Sequence, residues 1–149
     1  MLGEMVWVCS QSPIYKNLKI ADIEWLLMPP MLLEQYRVFH NDATPVGFAL
    51  WAHLSEDVEK RMNESMEKGE PVRLTPQEWK SGERLWLIEM VIPAANETNK
   101  LTQILMADLV QNVFKSQPFK FHQLHIEDGK RKNVIITSPA TGDKPVTMQ

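Results

Sequence analysis

The segment from Val46 to Leu54 is an almost unbroken apolar run containing Phe48 and Trp51, too short to cross a membrane and preceded by turn residues. Such a run reads as a strand, and with the helical and strand signals around it the order of elements implies a mixed sheet with helices on its faces. Just upstream, Tyr36 to His40 alternates and Asn41-Asp42-Ala43-Thr44 supplies the turn, so the two stretches read as a β-hairpin. At 149 residues, with 44% hydrophobic and 23% charged side chains, the chain can bury the core that this fold needs and matches one ordinary globular domain.

Helical signals flank the hairpin. Ile20, Ile23, Leu26 and Leu27 fall at helical spacing, and Pro29-Pro30 is expected to interrupt the helix before a second short one over Met31 to Gln35. Ser55 reads as an N-cap, with Glu56 and Asp57 set against the positive end of a helix dipole, Val58, Met62 and Met66 on one stripe, and Gly69 and Pro71 ending the helix. Thr75-Pro76 predicts a short helix carrying Trp79, Ser81-Gly82 a turn, and Leu85 to Ile92 a strand stopped by Pro93. The clearest amphipathic helix runs from Thr98 to Lys115 through Leu101, Ile104, Leu105, Leu109 and Val113, and Pro118 closes it. Two strands follow, Gln123 to Ile126 and Asn133 to Thr137, joined by Glu127-Asp128-Gly129. The fold class is therefore α/β in the α+β sense, a mixed sheet flanked by helices. It occupies a single domain over residues 1–139, and the polar tail at 140–149 is expected to be disordered.

A net charge of -3 argues against nucleic acid as a partner, which would need a clustered basic surface. Cys9 is the single cysteine, so neither an internal disulfide nor a cysteine-based metal cluster can form, and a reducing compartment fits. Beside Trp7 and Val8 it reads as a buried side chain rather than a nucleophile. The start of the chain shows no basic region followed by an apolar run, and no stretch approaches the ~18 apolar residues of a span, so a cytoplasmic location without a membrane span is expected. His122 and His125 make a poor ligand pair, and no metal is expected.

Two separated blocks carry chemistry: Ser12-Pro13-Ile14-Tyr15-Lys16-Asn17, and Trp79 to Glu89 with its continuation to Pro93. With Leu50-Trp51-Ala52-His53-Leu54-Ser55 between them, they resemble the toxin-activating lysine acyltransferases, which acylate internal lysines of RTX haemolysin protoxins from fatty acyl carrier protein. The resemblance runs from about Trp7 to Thr137 and implies a fold similar to the GNAT acetyltransferases. It implies acyl carrier protein and a lysine-bearing protein as partners, a tendency to form homodimers, and no cofactor beyond the acylated carrier. Typical GNAT enzymes have an Arg/Gln-x-x-Gly-x-Gly/Ala pyrophosphate loop, and its absence here agrees with a donor delivered by a carrier protein.

The resemblance puts Ser12, Tyr15 and Glu89 at the family's active-site positions. Acylating an amine needs an acceptor for its proton and stabilisation of the thioester oxygen. The family pattern has His where this chain has Tyr15, and commonly Asp where it has Glu89. A phenol of pKa ~10 stays protonated at neutral pH whereas imidazole exchanges protons there, so Tyr15 reads either as a base needing a nearby cation such as Lys16, as a hydrogen-bond donor to the thioester, or as a packed ring. Ser12 reads either as an orienting or oxyanion hydroxyl or as a cap before Pro13, and Asn17 as a loop residue. Any of the four histidines could replace the missing base, His53 on the face of Trp51 among them, but each reads first as a solvated or packed side chain. Trp51, Trp79 and Trp86, like Met28, Met31, Met62, Met66, Met90 and Met106, read first as core and second as an acyl-chain lining. The alternative to an enzyme is a family member that only binds acyl chains or the acylated carrier.

Overall fold

A computed structural model describes residues 2–70, 73–96, 98–127 and 130–137, with side chains described as far as Phe121. The expected hairpin forms β1 (Tyr36–Asn41) and β2 (Thr44–Leu54), its turn relieved by Asp42 at φ 55°. Next to β2 lies antiparallel β3 (Arg84–Val91), then parallel β4 (Lys120–Glu127), then antiparallel β5 (Lys130–Thr137). The result is one mixed sheet, as the strand pattern predicts, with five strands in the order β1-β2-β3-β4-β5.

Alternating side chains of β2 feed two cores. Phe48, Leu50, Ala52 and Leu54 pack with Met5, Val8, Leu26, Leu27, Met62 and Trp86, so helices α1 (Leu2–Gln11), α2 (Ile20–Leu26), α3 (Met28–Leu32) and α4 (Glu56–Glu67) share that face. Ala49 and Trp51 pack on the other face with Leu85, Leu87, Met106, Leu109 and Phe114, where helix α5 (Leu101–Asp108) lies. Both faces of β2 are covered, which explains its unbroken apolar run.

Several local expectations are corrected. Helix α1 is not signalled by periodicity, because Val6 and Trp7 stay exposed beside the buried Met5, Val8 and Cys9 and blur the stripe. Pro29 and Pro30 sit inside the first turn of α3, where a missing N–H costs nothing, rather than before it. The segment after Thr75 is a turn and not a helix: Glu78 N donates to Thr75 O and the Glu78 carboxylate accepts from Thr75 N, then Lys80 bridges to His53. The long helix runs only over α5 and widens into a π-helical turn at Leu109–Val113, with Phe114 N donating to Leu109 O. Strands β4 and β5 begin earlier than predicted, and the turn at Asp128-Gly129 and the tail at 140–149 lie outside the described residues.

Two features fix the region around the candidate site. Among the described residues, strands β3 and β4 pair at Trp86↔Lys120 and Leu87↔Phe121. Glu59 of α4 ties that seam: its carboxylate accepts from Trp86 Nε1 at 2.6 Å, Arg84 Nη1 at 3.4 Å and Lys120 Nζ at 3.4 Å. Gly82 lets the incoming chain lie against the end of β2, since a Cβ there would meet Leu54 O at 2.5 Å.

Candidate functional site

Strict alternation along β3 would put Trp86 and Ile88 on the α1 face and Glu89 on the opposite one. The register instead pairs Leu50 with Glu89 and Trp51 with Leu87, leaving Ile88 as an extra residue on β3. This bulge turns Glu89 to the same face as Trp86, Ile88 and Val91, beneath α1 and the loop that follows it.

That loop is built to deliver Tyr15. The buried Ser12 hydroxyl accepts from Ile14 N and Tyr15 N, both at 3.3 Å, and Ser12 O accepts from Lys16 N at 2.9 Å. Tyr15 O then accepts from Leu18 N at 2.9 Å, which closes the next turn toward α2. Pro13 suits this turn because its ring pre-sets φ. The Tyr15 ring packs against the α1-face core, and its hydroxyl donates to Glu89 Oε2. Two residues far apart in sequence therefore meet in a half-buried hydrogen bond, with Ser12 holding the loop under one of them.

Cys9, at the end of α1, lies in the field of the same carboxylate. Burial, reinforced by the Glu89 charge, pushes its thiol up to about 11, so it stays protonated and is no nucleophile near neutrality. His53 cannot serve as the base for Glu89: it pairs with Leu85 on the Trp51 face, across the sheet from Tyr15. Burial and the neighbouring Lys80 charge also hold its imidazole below the ordinary value. His40 Nε2 is hydrogen-bonded to the Glu4 carboxylate at the edge strand. The side chains of His122 and His125 lie outside the described residues.

The tryptophans divide between the faces, Trp79 and Trp86 in one core and Trp51 edge-on to Phe114 at 5.3 Å in the other, so they do not line one common channel. Among the described residues no group of three or more His, Cys, Asp or Glu side chains could hold a metal ion. Nor is any described helix long and apolar enough to cross a membrane. A separate apolar groove, lined by Ile20, Ile23, Glu24, Met28, Pro29, Leu32 and Pro76, opens between α2 and α3; sequence pattern did not indicate it.

The model of the RTX toxin acyltransferase family matches residues 1–138. The chain belongs to that family. A toxin-activating lysine-acyltransferase of Actinobacillus pleuropneumoniae is 30% identical over 115 residues, covering 77% of this chain and 63% of that protein. A protein-lysine myristoyltransferase of Escherichia coli is 28% identical over 93 residues, 62% of this chain and 52% of its own. An uncharacterized Synechocystis protein matches along more of its length: 29% identity over 139 residues, 92% of this chain and 87% of that one. The chain thus spans between about half and two-thirds of these two acyltransferases of the family.

Proposed function

We propose that the protein transfers a fatty acyl group from the thioester of acyl carrier protein to a lysine side chain of a protein substrate. The observation that supports it is the Tyr15–Glu89 hydrogen bond, which joins the two positions that resemblance assigns to the family's acid–base pair. Because Tyr15 donates, the negative charge sits on Glu89, and the carboxylate is the group ready to receive a proton.

In this reading the lysine nitrogen attacks the thioester carbonyl carbon while Glu89 takes the proton that the nitrogen sheds. Collapse of the tetrahedral intermediate breaks the C–S bond, and the departing sulfur takes the Tyr15 hydroxyl proton. The proton on Glu89 then returns to the tyrosinate along the existing hydrogen bond. The net change is one amine proton moved to the thiol, with both side chains restored. Ser12 acts through the loop it caps and keeps the Tyr15 hydroxyl on Glu89.

The pairing of β3 with β4 at Trp86 and Leu87 stops short of Glu89, in keeping with the GNAT-like architecture that the reading assumes. The reaction belongs in the cytoplasm, with the acylated carrier as co-substrate and no further cofactor.

The test is transfer from acyl carrier protein loaded with a myristoyl group to a lysine-bearing protein, followed by mass spectrometry of the acceptor. Transfer that Glu89→Gln lowers at least a hundredfold is the expected result. If wild-type protein binds the acylated carrier but never turns over, the reading as a binding module replaces the enzyme.

A further inference from the structure

Among the described residues two hydrophilic side chains are buried, Ser12 at 5% exposure and Gln35 at 4%. Ser12 holds the loop that carries Tyr15, whereas Gln35 stands one residue before β1, across β2 from the strand that carries Glu89. A buried amide persists in a core only where its hydrogens find acceptors, and both do here. Gln35 Nε2 donates to Trp51 O and to Trp79 O, each at 3.0 Å. The Gln35 backbone carbonyl accepts from Trp51 N at 3.1 Å, so one residue grips Trp51 at both of its backbone groups.

The second acceptor ties in the segment that leads to β3. Trp79 O also accepts from His53 N at 2.9 Å, and His53 O accepts from Ser81 N at 2.8 Å and Gly82 N at 3.0 Å. Residues Trp79 to Gly82 therefore take over the edge of β2 where β1 leaves it, then pass round the end of that strand to begin β3 at Arg84. Gln35 spans the junction between β1 and this strap.

The grip coincides with the register step between β2 and β3. From the Arg84 end the pairing runs in one register as far as Trp51↔Leu87, and from Leu50↔Glu89 onward it runs in another, with Ile88 left over. Trp51 is thus the last residue of the first register, and its neighbour Leu50 faces Glu89 in the second. Regular pairing would need β2 to slide along β3 and absorb Ile88, which would return Glu89 to the Trp51 face, away from Tyr15. Gln35 opposes that slide by holding Trp51 on β2 and Trp79 at the approach to β3 with the same amide.

We propose that Gln35 is a positioning residue for the reaction: through Trp51 and Trp79 it holds the β2–β3 register step that turns the Glu89 carboxylate toward Tyr15. The catalytic consequence rests on the acyl-transfer reading, while the placement of Glu89 by Gln35 does not.

Gln35→Met keeps the length of the side chain and removes both donors. Two readouts on the full chain separate placement from ordinary loss of stability. The first is the titration of the Cys9 thiol with iodoacetamide, since the Glu89 charge helps to hold that thiol high. With Glu89 turned away the curve should move to lower pH by about as much as in Glu89→Gln, and Gln35→Met added to Glu89→Gln should move it no further. The second is transfer from myristoyl-loaded acyl carrier protein, in which kcat should fall by about tenfold or more while KM for the carrier stays within about threefold, because Glu89 takes the proton and does not bind the carrier. Gln35→Asn, which keeps an amide but draws it back by one carbon, should move both readouts in the same direction by less, and it carries the test if the methionine variant does not fold. Either folded variant with a lowered melting temperature but a wild-type Cys9 curve and kcat overturns the proposal, since Gln35 would then be structural only. So does a Cys9 shift of equal size with Glu89→Gln already present, which would mean that the core around Cys9 had loosened without Glu89 moving. A Cys9 curve that shifts only while Glu89 is present, in a protein that transfers no acyl group in any form, upholds the placement and removes the acyl-transfer reading.

Discussion

Replacing Tyr15 by Phe isolates the hydroxyl that joins the loop to Glu89. The ring, which packs against the α1-face core, is preserved, so no cavity forms and the transfer term is nearly unchanged. What disappears is one hydrogen bond to a carboxylate, a class worth about 1.5–3 kcal/mol. Glu89 is only half buried and has another interaction besides Tyr15, so the lower end applies, about 2 kcal/mol. For a chain of this size that is a fall in melting temperature of roughly 4–8 °C. Catalysis should suffer far more, by a hundredfold or greater, since both the acid for the leaving thiol and the return path for the Glu89 proton are gone. The assay is single-turnover acyl transfer alongside differential scanning calorimetry, and the separation of the two magnitudes is the point. A variant that loses the stability but keeps its rate within threefold would show that the hydroxyl only fastens the loop, and the relay would have to be abandoned.

Four other outcomes can be measured. Tyr15→His should restore an imidazole beside the carboxylate and raise transfer in any background where the wild type is slow, a gain that Glu89→Gln should remove. The Cys9 thiol should react with iodoacetamide along a titration curve centred at about 11, and Glu89→Gln should move that curve to lower pH by removing a nearby negative charge. Because the folded-state value lies above the ordinary 9.0, this thiol's contribution to stability is complete below pH ~9 and is lost as pH rises toward about 11, which urea unfolding across that window would register. Glu59→Ala removes the shared acceptor of Trp86, Arg84 and Lys120 and should cost about 2 kcal/mol, with hydrogen exchange rising first at the β3–β4 seam; unchanged protection at Trp86 and Leu87 would mean the seam does not depend on it.

The sheet was legible because each strand carried its own signal: alternation in Tyr36 to His40, turn chemistry at Asp42, an apolar run from Val46, a proline stop after Ile92. Helix α1 was not, since its apolar residues face both the core and the solvent and no periodicity survives. Tyr15 and Glu89 were legible as positions through resemblance, but their contact depends on the β3 bulge at Ile88, and nothing in Leu87-Ile88-Glu89-Met90 distinguishes a bulged strand from a regular one. A register slip of one residue decides which face a carboxylate occupies, and that slip is set by the pairing of β2 with β3 rather than by either strand alone. The groove between α2 and α3 was hidden for a related reason. Ile20 and Ile23 look like core residues in a helical repeat, and only the packing of Leu26 and Leu27 inward shows that Ile20 is left outside.

Two positions where this chain departs from the pattern it resembles, Tyr15 and Glu89, touch each other. That bears on how the departures should be read. A tyrosine in a histidine position, taken alone, removes a group that exchanges protons near neutrality. A glutamate in an aspartate position, taken alone, shifts a carboxylate by more than about an ångström, enough to damage a positioned reaction. Together they meet in a hydrogen bond that places one proton between one phenol and one carboxylate, so each change supplies the geometry the other needs. Residues in direct contact are coupled, and their effects should not add. Reverting both, Tyr15→His with Glu89→Asp, should therefore restore or retain more activity than the product of the two single reversions. Strict additivity in that cycle would mean that the pair acts as two unrelated substitutions, and that the contact between them carries no chemistry.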